Sequence, residues 1–143
     1  MPRDARRHLL TQLLNAGSVR TQEELATALA DAGEAENRAD SERLAAMFRS
    51  LDELPCPTVA RINGAAFGDG VGLISCCDVA VAADHAKFGL TEVRLGLIPA
   101  TIGPYVCARM GGGRARRVFM SGRRFGAEEA VTLDLLARAV PEA

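Results

Sequence analysis

An α/β fold is predicted for this chain of 143 residues. Short β-branched segments bounded by Pro, Gly or Asn alternate with segments whose apolar residues recur at helical spacing. Apolar residues make up 48% of the chain and charged residues 24%, the balance of a soluble globular domain. The sequence contains no run of eighteen apolar residues, so a membrane span is not predicted. The formal net charge is -1, which gives no electrostatic preference for a charged partner such as nucleic acid. Because no long apolar stretch follows Met1–Arg7, we expect a cytoplasmic protein.

The first third of the chain has helical patterns. Arg7–Leu14 is predicted as a short amphipathic helix. A capping box at Thr21–Glu24 opens a second helix over Glu23–Ala32, which ends at Gly33. Residues 34–40 are polar and predict a loop, after which Ser41 caps a helix that runs to Leu54. These patterns divide the chain into a helical N-terminal extension, residues 1–34, and a domain over residues 35–143.

The extension has more than one interpretation. Val19–Gly33 resembles the opening helix–turn–helix of arginine-repressor-type winged domains, which makes a DNA-binding regulator built on residues 5–33 one alternative. A recognition helix needs basic and amide side chains, whereas residues 34–40 are acidic. A helical hairpin that covers apolar surface is the plainer interpretation, and a start unrelated to the rest of the chain is a third.

The second part of the chain mixes strands with helices. A strand over Thr58–Ile62 is followed by a glycine-dense loop over Gly64–Gly72, with a helix opening in Leu73–Cys77. Further strands are predicted over Val79–Ala82 and, very short, over Lys87–Leu90. Three helices complete the pattern: Pro104–Met110, Ala115–Met120 and Ala127–Leu136.

The strand–glycine loop–helix unit is the strongest local signal for a ligand. Glycines let the backbone approach a ligand closely, and the amides at a helix N-terminus favour negative charge. A tight turn without any ligand is equally compatible with the pattern. A dinucleotide fingerprint requires G-x-G-x-x-G, whereas Gly68, Gly70 and Gly72 give G-x-G-x-G.

Two longer segments resemble the motifs of a known protein family. Pro57–Asp78 resembles the crotonase motif P-x-x-A-x-x-N-G-x-A-x-G-G-G-x-x-L-x-x-x-C-D, and Ala86–Pro99 is similar to the later A-x-F-x-x-P-E-x-x-x-G-x-x-P. The resemblance covers roughly residues 37–141. The resemblance is to the enoyl-CoA hydratase/isomerase family, and the motif sequences are most similar to those of methylglutaconyl-CoA hydratase-type members. It implies a partial crotonase-like ββα core preceded by the helical extension.

The resemblance also implies roles for particular residues. The family's oxyanion-hole amide falls on the backbone of Asp69, and its acid/base glutamate falls on Glu92. The substrate is then an acyl-CoA thioester from fatty acid or branched-chain amino acid catabolism, and the protein a homo-oligomer, trimeric or hexameric. The substrate-binding positions are Phe67, Gly68, Gly70, Thr91 and Ala100.

No cofactor is implied, since coenzyme A is part of the substrate. The residues themselves predict no metal site either. The four cysteines form no C-x-x-C pair, and neither His8 nor His85 lies in a ligand pattern.

Four departures from the motif bear on activity. The second glutamate of many hydratases falls on Gly72. The usual addition of water to the double bond, which uses two carboxylates, is therefore not available in this form. Asp69 replaces a glycine, and a charge about 5 Å from an oxyanion at an effective dielectric of about 20 costs about 3 kcal/mol, unless it points to solvent. Asp134 stands where a glycine follows a helix.

Residues 1–34 show no A-G-x-D segment, which carries the family's other oxyanion donor, so we expect exposed strand edges and a partner subunit or rearranged fold. An active enzyme and a catalytically impaired remnant that serves as a structural subunit both remain open.

Overall fold

The computed structural model describes residues 34–141. The two predicted helices before Gly33 and the DNA-binding hypothesis fall outside these residues. The chain divides into two compact units between Leu44 and Ala45. That division lies inside a helix, and the assignment of residues 1–34 and 35–143 to separate domains stays a prediction.

The helix that contains the division, α1, spans Glu34–Asp52. The predicted loop over residues 34–40 is therefore wrong. Arg38 pairs with Glu42 at 3.1 Å, and Arg43 pairs with Asp40 at 2.8 Å. Such pairs one turn apart support the polar first part of the helix, which lacks the apolar stripe that predicts a helix from sequence.

The larger sheet contains three parallel strands in the order β1-β3-β6. They are β1 (Val59–Ile62), β3 (Val79–Ala83) and β6 (Arg138–Val140). The first two confirm the strands predicted at these places, and β6 was not predicted. In the described residues β1 is an edge strand, and its Val59 is 67% exposed, in line with the expectation of exposed edges.

The smaller sheet has the order β2-β4-β5. Its strands are β2 (Ala65–Phe67), β4 (Lys87–Gly89) and β5 (Arg124–Gly126), with β2 parallel and β5 antiparallel to β4. One face is buried and carries Ala66, Phe88 and Phe125, and the two phenylalanine rings stack with centroids 5.9 Å apart. The strand β2 lies inside the segment predicted as a glycine loop.

Five helical segments alternate with these strands along the chain. They are α2 (Asp69–Cys76), a 3₁₀ helix (Glu92–Leu95), α3 (Gly103–Met110), α4 (Gly112–Phe119) and α5 (Ala127–Thr132). The helix α2 begins before the predicted Leu73, so Gly70 and Gly72 are helical. Within the described range no helix combines the length and apolarity needed to cross a membrane.

The last helix is shorter than the predicted Ala127–Leu136. It ends because Asp134 has a left-handed backbone with φ 59°, the conformation for which the family prefers glycine at this place. The Asp134 carboxylate pairs with Arg114 of α4 at 2.7 Å. The position therefore keeps the turn although it lacks the glycine.

Arg109 of α3 joins three segments that are distant in sequence. Its guanidinium donates to the carbonyls of Cys77 at 2.5 Å and Asp78 at 3.1 Å, just after α2. It also donates to the carbonyl of Leu135 at 3.3 Å, between α5 and β6. One charged side chain thus joins the start of β3 to the segment that leads into β6.

Replacing Arg109 should destabilise the fold. Arg109→Met leaves three carbonyls without their charged donor, and we expect the free energy of unfolding in urea to fall by about 2 kcal/mol. Arg116→Met is the matched control, because Arg116 lies on the exposed side of α4. Equal unfolding midpoints for the two variants would contradict this role of Arg109.

Candidate active site

The site forms where β2 turns directly into α2. Gly68 makes the turn with φ 53° and ψ -118°, a backbone conformation that side chains other than glycine adopt at a cost. Its amide donates to the Gly89 carbonyl of β4 at 2.9 Å. Its carbonyl accepts the Val71 and Gly72 amides at 2.9 and 3.2 Å, which starts the helix. One glycine therefore ends a strand, anchors it to its neighbour and opens α2.

The Glu92 carboxyl group lies against this glycine. A Cβ built on Gly68 would be 3.3 Å from Glu92 Oε1 and 3.7 Å from its Cδ. Glu92 is the first residue of the 3₁₀ helix, which Gly96 closes with φ 69°. The absence of a side chain at position 68 thus makes room for the carboxyl group at position 92.

The second oxygen of Glu92 is without a partner. Oε2 is buried and makes no hydrogen bond with any residue in the described part of the chain. Burial of the carboxyl group raises the pKa of Glu92; its own backbone amide acts in the opposite direction, and the charge of Asp69 raises the pKa further. The carboxyl group is thus partly desolvated by the fold, and its Oε2 is left for a hydrogen bond from outside the described residues.

Asp69 is the first residue of α2 and its side chain is exposed. Amides in the first turn of a helix point outward along the axis, at the positive end of the helix dipole. The exposed carboxylate adds a negative charge at the same end. The site thus combines a helix N-terminus with two carboxyl groups, that of the half-buried Glu92 and that of the exposed Asp69.

The position of the missing second glutamate is filled. A Cβ on Gly72 would lie 2.3 Å from Cγ2 and 2.9 Å from Cβ of Ile102, and 3.0 Å from Cε1 of Phe48. Ile102 and Phe48 are fully buried. A larger side chain at position 72 requires these residues to move. No periodicity in the sequence signals this packing, because it joins three separate helical segments.

The remaining predicted binding residues are not all brought together. Gly70 lies in the first turn of α2, and Thr91 immediately precedes the 3₁₀ helix. Phe67 ends β2, where the guanidinium of Arg124 lies 5.1 Å from its ring centroid. Ala100 is exposed in the turn before α3. The roles of these four residues in binding stay predictions.

Among the described residues, no three His, Cys, Asp or Glu side chains are grouped so that they could hold a metal ion. The cysteines differ in burial, with Cys76 buried and Cys56 and Cys107 exposed. Burial raises the pKa of the Cys76 thiol to about 11. Cys76 therefore stays protonated and is no nucleophile at neutral pH.

Two glycines of α2 should respond oppositely to alanine. Gly72→Ala forces a contact with Ile102 and should lower the free energy of unfolding by about 1–3 kcal/mol. Gly70→Ala places its Cβ 3.4 Å from the Ala66 Cβ, an ordinary contact. It should raise stability by about 0.5–1 kcal/mol, because glycine is a poor helix former. Urea unfolding of both variants measures the difference, and a stable Gly72→Ala protein would contradict the packing.

The burial of Glu92 predicts a pH-dependent stability. Between the pKa of an unfolded glutamate and the raised pKa in the fold, the folded chain retains a proton that the unfolded chain has lost. The contribution of Glu92 to stability is therefore complete at acid pH and is lost as the pH rises through the folded-state pKa. We expect Glu92→Gln to gain thermal stability over the wild type as the pH rises through this window.

The control is Glu128→Gln, which changes an exposed glutamate of α5. Thermal unfolding of the three proteins across a pH series measures the differences. A constant difference between Glu92→Gln and the wild type at every pH would show that the carboxyl group at position 92 is not desolvated by the fold.

Known proteins are similar to this chain in sequence and fold. The family model described as enoyl-CoA hydratase/isomerase matches residues 14–143. The enoyl-CoA hydratase AKT6-1 of Alternaria alternata is 41% identical over 96 residues, which are 62% of this chain and 32% of that protein. A solved enoyl-CoA hydratase from Shewanella pealeana is 43% identical with a TM-score of 0.76, over 78% of this chain and 42% of that one.

A third comparison extends further along the chain. An enoyl-CoA hydratase/isomerase structure from Marinobacter aquaeolei is 30% identical with a TM-score of 0.72, over 93% of this chain and 47% of that one. The chain thus spans about a third of the curated relative above and less than half of the solved chains. The family match covers most of the sequence, and the structural matches support a partial crotonase-like α/β core. The chain therefore belongs to the enoyl-CoA hydratase/isomerase family.

Proposed function

We propose that the chain binds an acyl-CoA thioester and that Glu92 moves one proton at the carbon next to the thioester carbonyl. The observation that carries the proposal is the contact of the Glu92 carboxyl group with Gly68, at the N-terminus of α2. This contact brings a proton acceptor to the end of a helix that favours developing negative charge. The family match supplies the substrate class.

The proposed step begins with the ionised form of Glu92. The carboxylate takes a proton from C2 of a 3-enoyl thioester, and the electron pair of the broken C–H bond forms an enolate whose negative charge rests on the thioester oxygen. In our proposal the backbone amide of Asp69 donates to that oxygen, and one such donor is typically worth about 3–4 kcal/mol. Glu92 then returns the proton to C4, which moves the double bond from C3 to C2.

Isomerisation is favoured over two-carboxylate hydration by the packing around Gly72. Addition of water across a double bond uses one group to activate water and another to protonate carbon. The place of a second glutamate is filled by Ile102 and Phe48, both apolar and buried. A single carboxyl group that shuttles one proton between two carbons is the reaction that the described residues support best.

The finer parts of the proposal rest on the family resemblance. Phe67, Gly68, Gly70, Thr91 and Ala100 are proposed to line the acyl pocket. A homo-oligomer in the cytoplasm, acting in fatty acid or branched-chain amino acid breakdown, completes it.

A catalytically impaired remnant that serves as a structural subunit is the second candidate. The exposed charge of Asp69 beside the proposed oxyanion and the glycine at position 72 are the observations that favour it. A remnant can still bind an acyl-CoA, so binding alone does not distinguish the two. Proton transfer does.

Glu92→Gln should abolish proton transfer and leave binding intact. The wild type should exchange the C2 protons of butyryl-CoA in heavy water and convert 3-hexenoyl-CoA to the 2-enoyl form. The variant should lose at least about a hundredfold in both rates, because a general base typically contributes about 10²–10⁴. Mass spectrometry follows the exchange, and calorimetric titration with butyryl-CoA gives the affinity.

Glu128→Gln is again the control and should keep both rates. A wild type that binds butyryl-CoA without exchange would support the remnant. A Glu92→Gln variant that keeps its rates and loses its affinity would overturn the role of Glu92 as the proton carrier.

A further inference from the structure

The smaller sheet has a second face, which the proton transfer described above does not use. Its buried face carries the middle residue of each strand, so the first and last residues of the strands point to the other side. These residues form two rows across the three strands: Ala65, Lys87 and Gly126 in one, and Phe67, Gly89 and Arg124 in the next. The face thus carries one aromatic ring and two cations among glycine and alanine.

The ring of Phe67 orients the guanidinium of Arg124. The ring lies over Gly89, where a built Cβ would be 3.2 Å from Cδ1 and 3.5 Å from Cε1 of the phenylalanine. On the adjacent strand the guanidinium of Arg124 lies over this ring, 5.1 Å from its centroid. A cation in this position is attracted by the ring, while the N–H groups at the edge of the guanidinium remain able to donate to an anion.

The ammonium group of Lys87 lies over the same strand as Arg124. Its Nζ would be 3.8 Å from a Cβ built on Gly126. Gly126 and Arg124 are two residues apart on β5, so their Cα atoms are about 7 Å from each other on one face. Both long, exposed side chains can therefore reach one anion between them.

The described residues supply no carboxylate to this pair of cations. Glu129, which follows β5, accepts two hydrogen bonds from Arg123. The guanidinium of Arg123 lies 5.8 Å from the ring centroid of Phe125, a residue of the buried face. Within residues 34–141 neither Lys87 nor Arg124 has an ion-pair partner. Their two charges are thus left for an anion from outside these residues.

We propose that this face binds a phosphate group, which Lys87 and Arg124 hold between them beside the ring of Phe67. A phosphate monoester carries a charge of about -1.5 to -2 at neutral pH and balances two cations, whereas a carboxylate carries a single charge. The planar fork of arginine N–H groups matches phosphate oxygens, and a lysine ammonium adds a point charge.

The phosphate belongs either to the nucleotide end of coenzyme A or to a separate phosphate compound. The first source rests on the proposed function. It agrees with the position of the face, because Phe67 immediately precedes Gly68, whose amide donates to the Gly89 carbonyl at 2.9 Å. The Phe67 row therefore borders the turn against which Glu92 packs, and the row with Lys87 lies farther from it.

The test uses the only lysine among the 143 residues, Lys87. A chain labelled with ¹³C-lysine gives one set of lysine side-chain signals, and the ¹³Cε shift reports on this face. Titration with adenosine 3′,5′-bisphosphate should move the signal until it saturates. Arg124→Gln should weaken the affinity at least about tenfold, because it removes charged hydrogen bonds to the phosphate.

Arg138→Gln is the matched control. Arg138 is also an exposed arginine and the first residue of a three-residue strand, but it lies in the larger sheet. This variant should keep the wild-type affinity, and thermal unfolding checks that both variants fold. A lysine signal that does not respond to the bisphosphate would overturn the proposal. Equal weakening in Arg124→Gln and Arg138→Gln would do the same.

Further probes separate the sources of the phosphate. Coenzyme A that binds more tightly than inorganic phosphate, while pantetheine leaves the signal unmoved, would identify the nucleotide end of the substrate. Equal affinities for coenzyme A and inorganic phosphate would identify a separate phosphate compound. Succinate that binds as tightly as the bisphosphate would refute the assignment of the face to phosphate.

Proton exchange on butyryl-CoA keeps this inference apart from the proposed function. A bisphosphate that moves the lysine signal in a chain without exchange would keep the phosphate site and refute the catalytic proposal. Exchange in a wild type whose lysine signal ignores every phosphate compound would keep the catalytic proposal and refute the phosphate site.

Discussion

The structure of the site depends on one close contact, that between Glu92 and the turn at Gly68. The glycine is required twice, once because its φ of 53° disfavours a side chain and once because a Cβ would press on Glu92 Oε1 at 3.3 Å. The same residue starts α2 and holds β2 to β4 through the Gly89 carbonyl. A substitution here changes the strand pairing, the helix start and the acid at the same time. The position therefore admits little beyond glycine.

The packing at Gly72 constrains the same helix from inside. Because Ile102 lies within 2.3 Å of a Cβ at this position, α2 approaches α3 more closely than a side chain would allow. Close packing of this kind stabilises the core through contact area and removes the space in which a second acid would stand. The chemistry of the site is thus limited to one buried proton carrier by a packing constraint. Nothing about the reacting groups themselves imposes the limit.

Local signals in the sequence were sufficient for part of the fold. The strand at Val59–Ile62 and the helix at Gly103–Met110 were predicted to within a residue or two, because proline and glycine bound them and their residue types agree with their structure. The strands β2 and β5 were missed because three residues beside glycines carry no periodicity. Their structure comes from pairing with β4, which is distant in sequence. Context of this kind is not contained in a local window.

The sequence names residues for the candidate site but does not give their surroundings. Glu92 and Asp69 were identified through the resemblance, whereas their surroundings depend on tertiary contacts. The burial of Oε2 and the filling of the space at Gly72 both arise where separate helices meet. The prediction of a loop over residues 34–40 was wrong because of local contacts. The pairs Arg38–Glu42 and Asp40–Arg43 support a helix there, and a search for apolar stripes overlooks such polar pairs.

The aspartate at the start of α2 has two opposing electrostatic effects. An acidic residue in the first turn stabilises a helix, typically by about 0.3–1 kcal/mol, because it complements the dipole. The same charge opposes an oxyanion at that helix end, and at about 5 Å the repulsion is about 3 kcal/mol before solvent screens it. A charge that only repelled the oxyanion would leave an enzyme slower by about a hundredfold. The proton transfer itself leaves the number of negative charges unchanged, because Glu92 becomes neutral as the enolate forms. The balance between the helix that Asp69 stabilises and the enolate that it repels therefore separates an active enzyme from an impaired remnant.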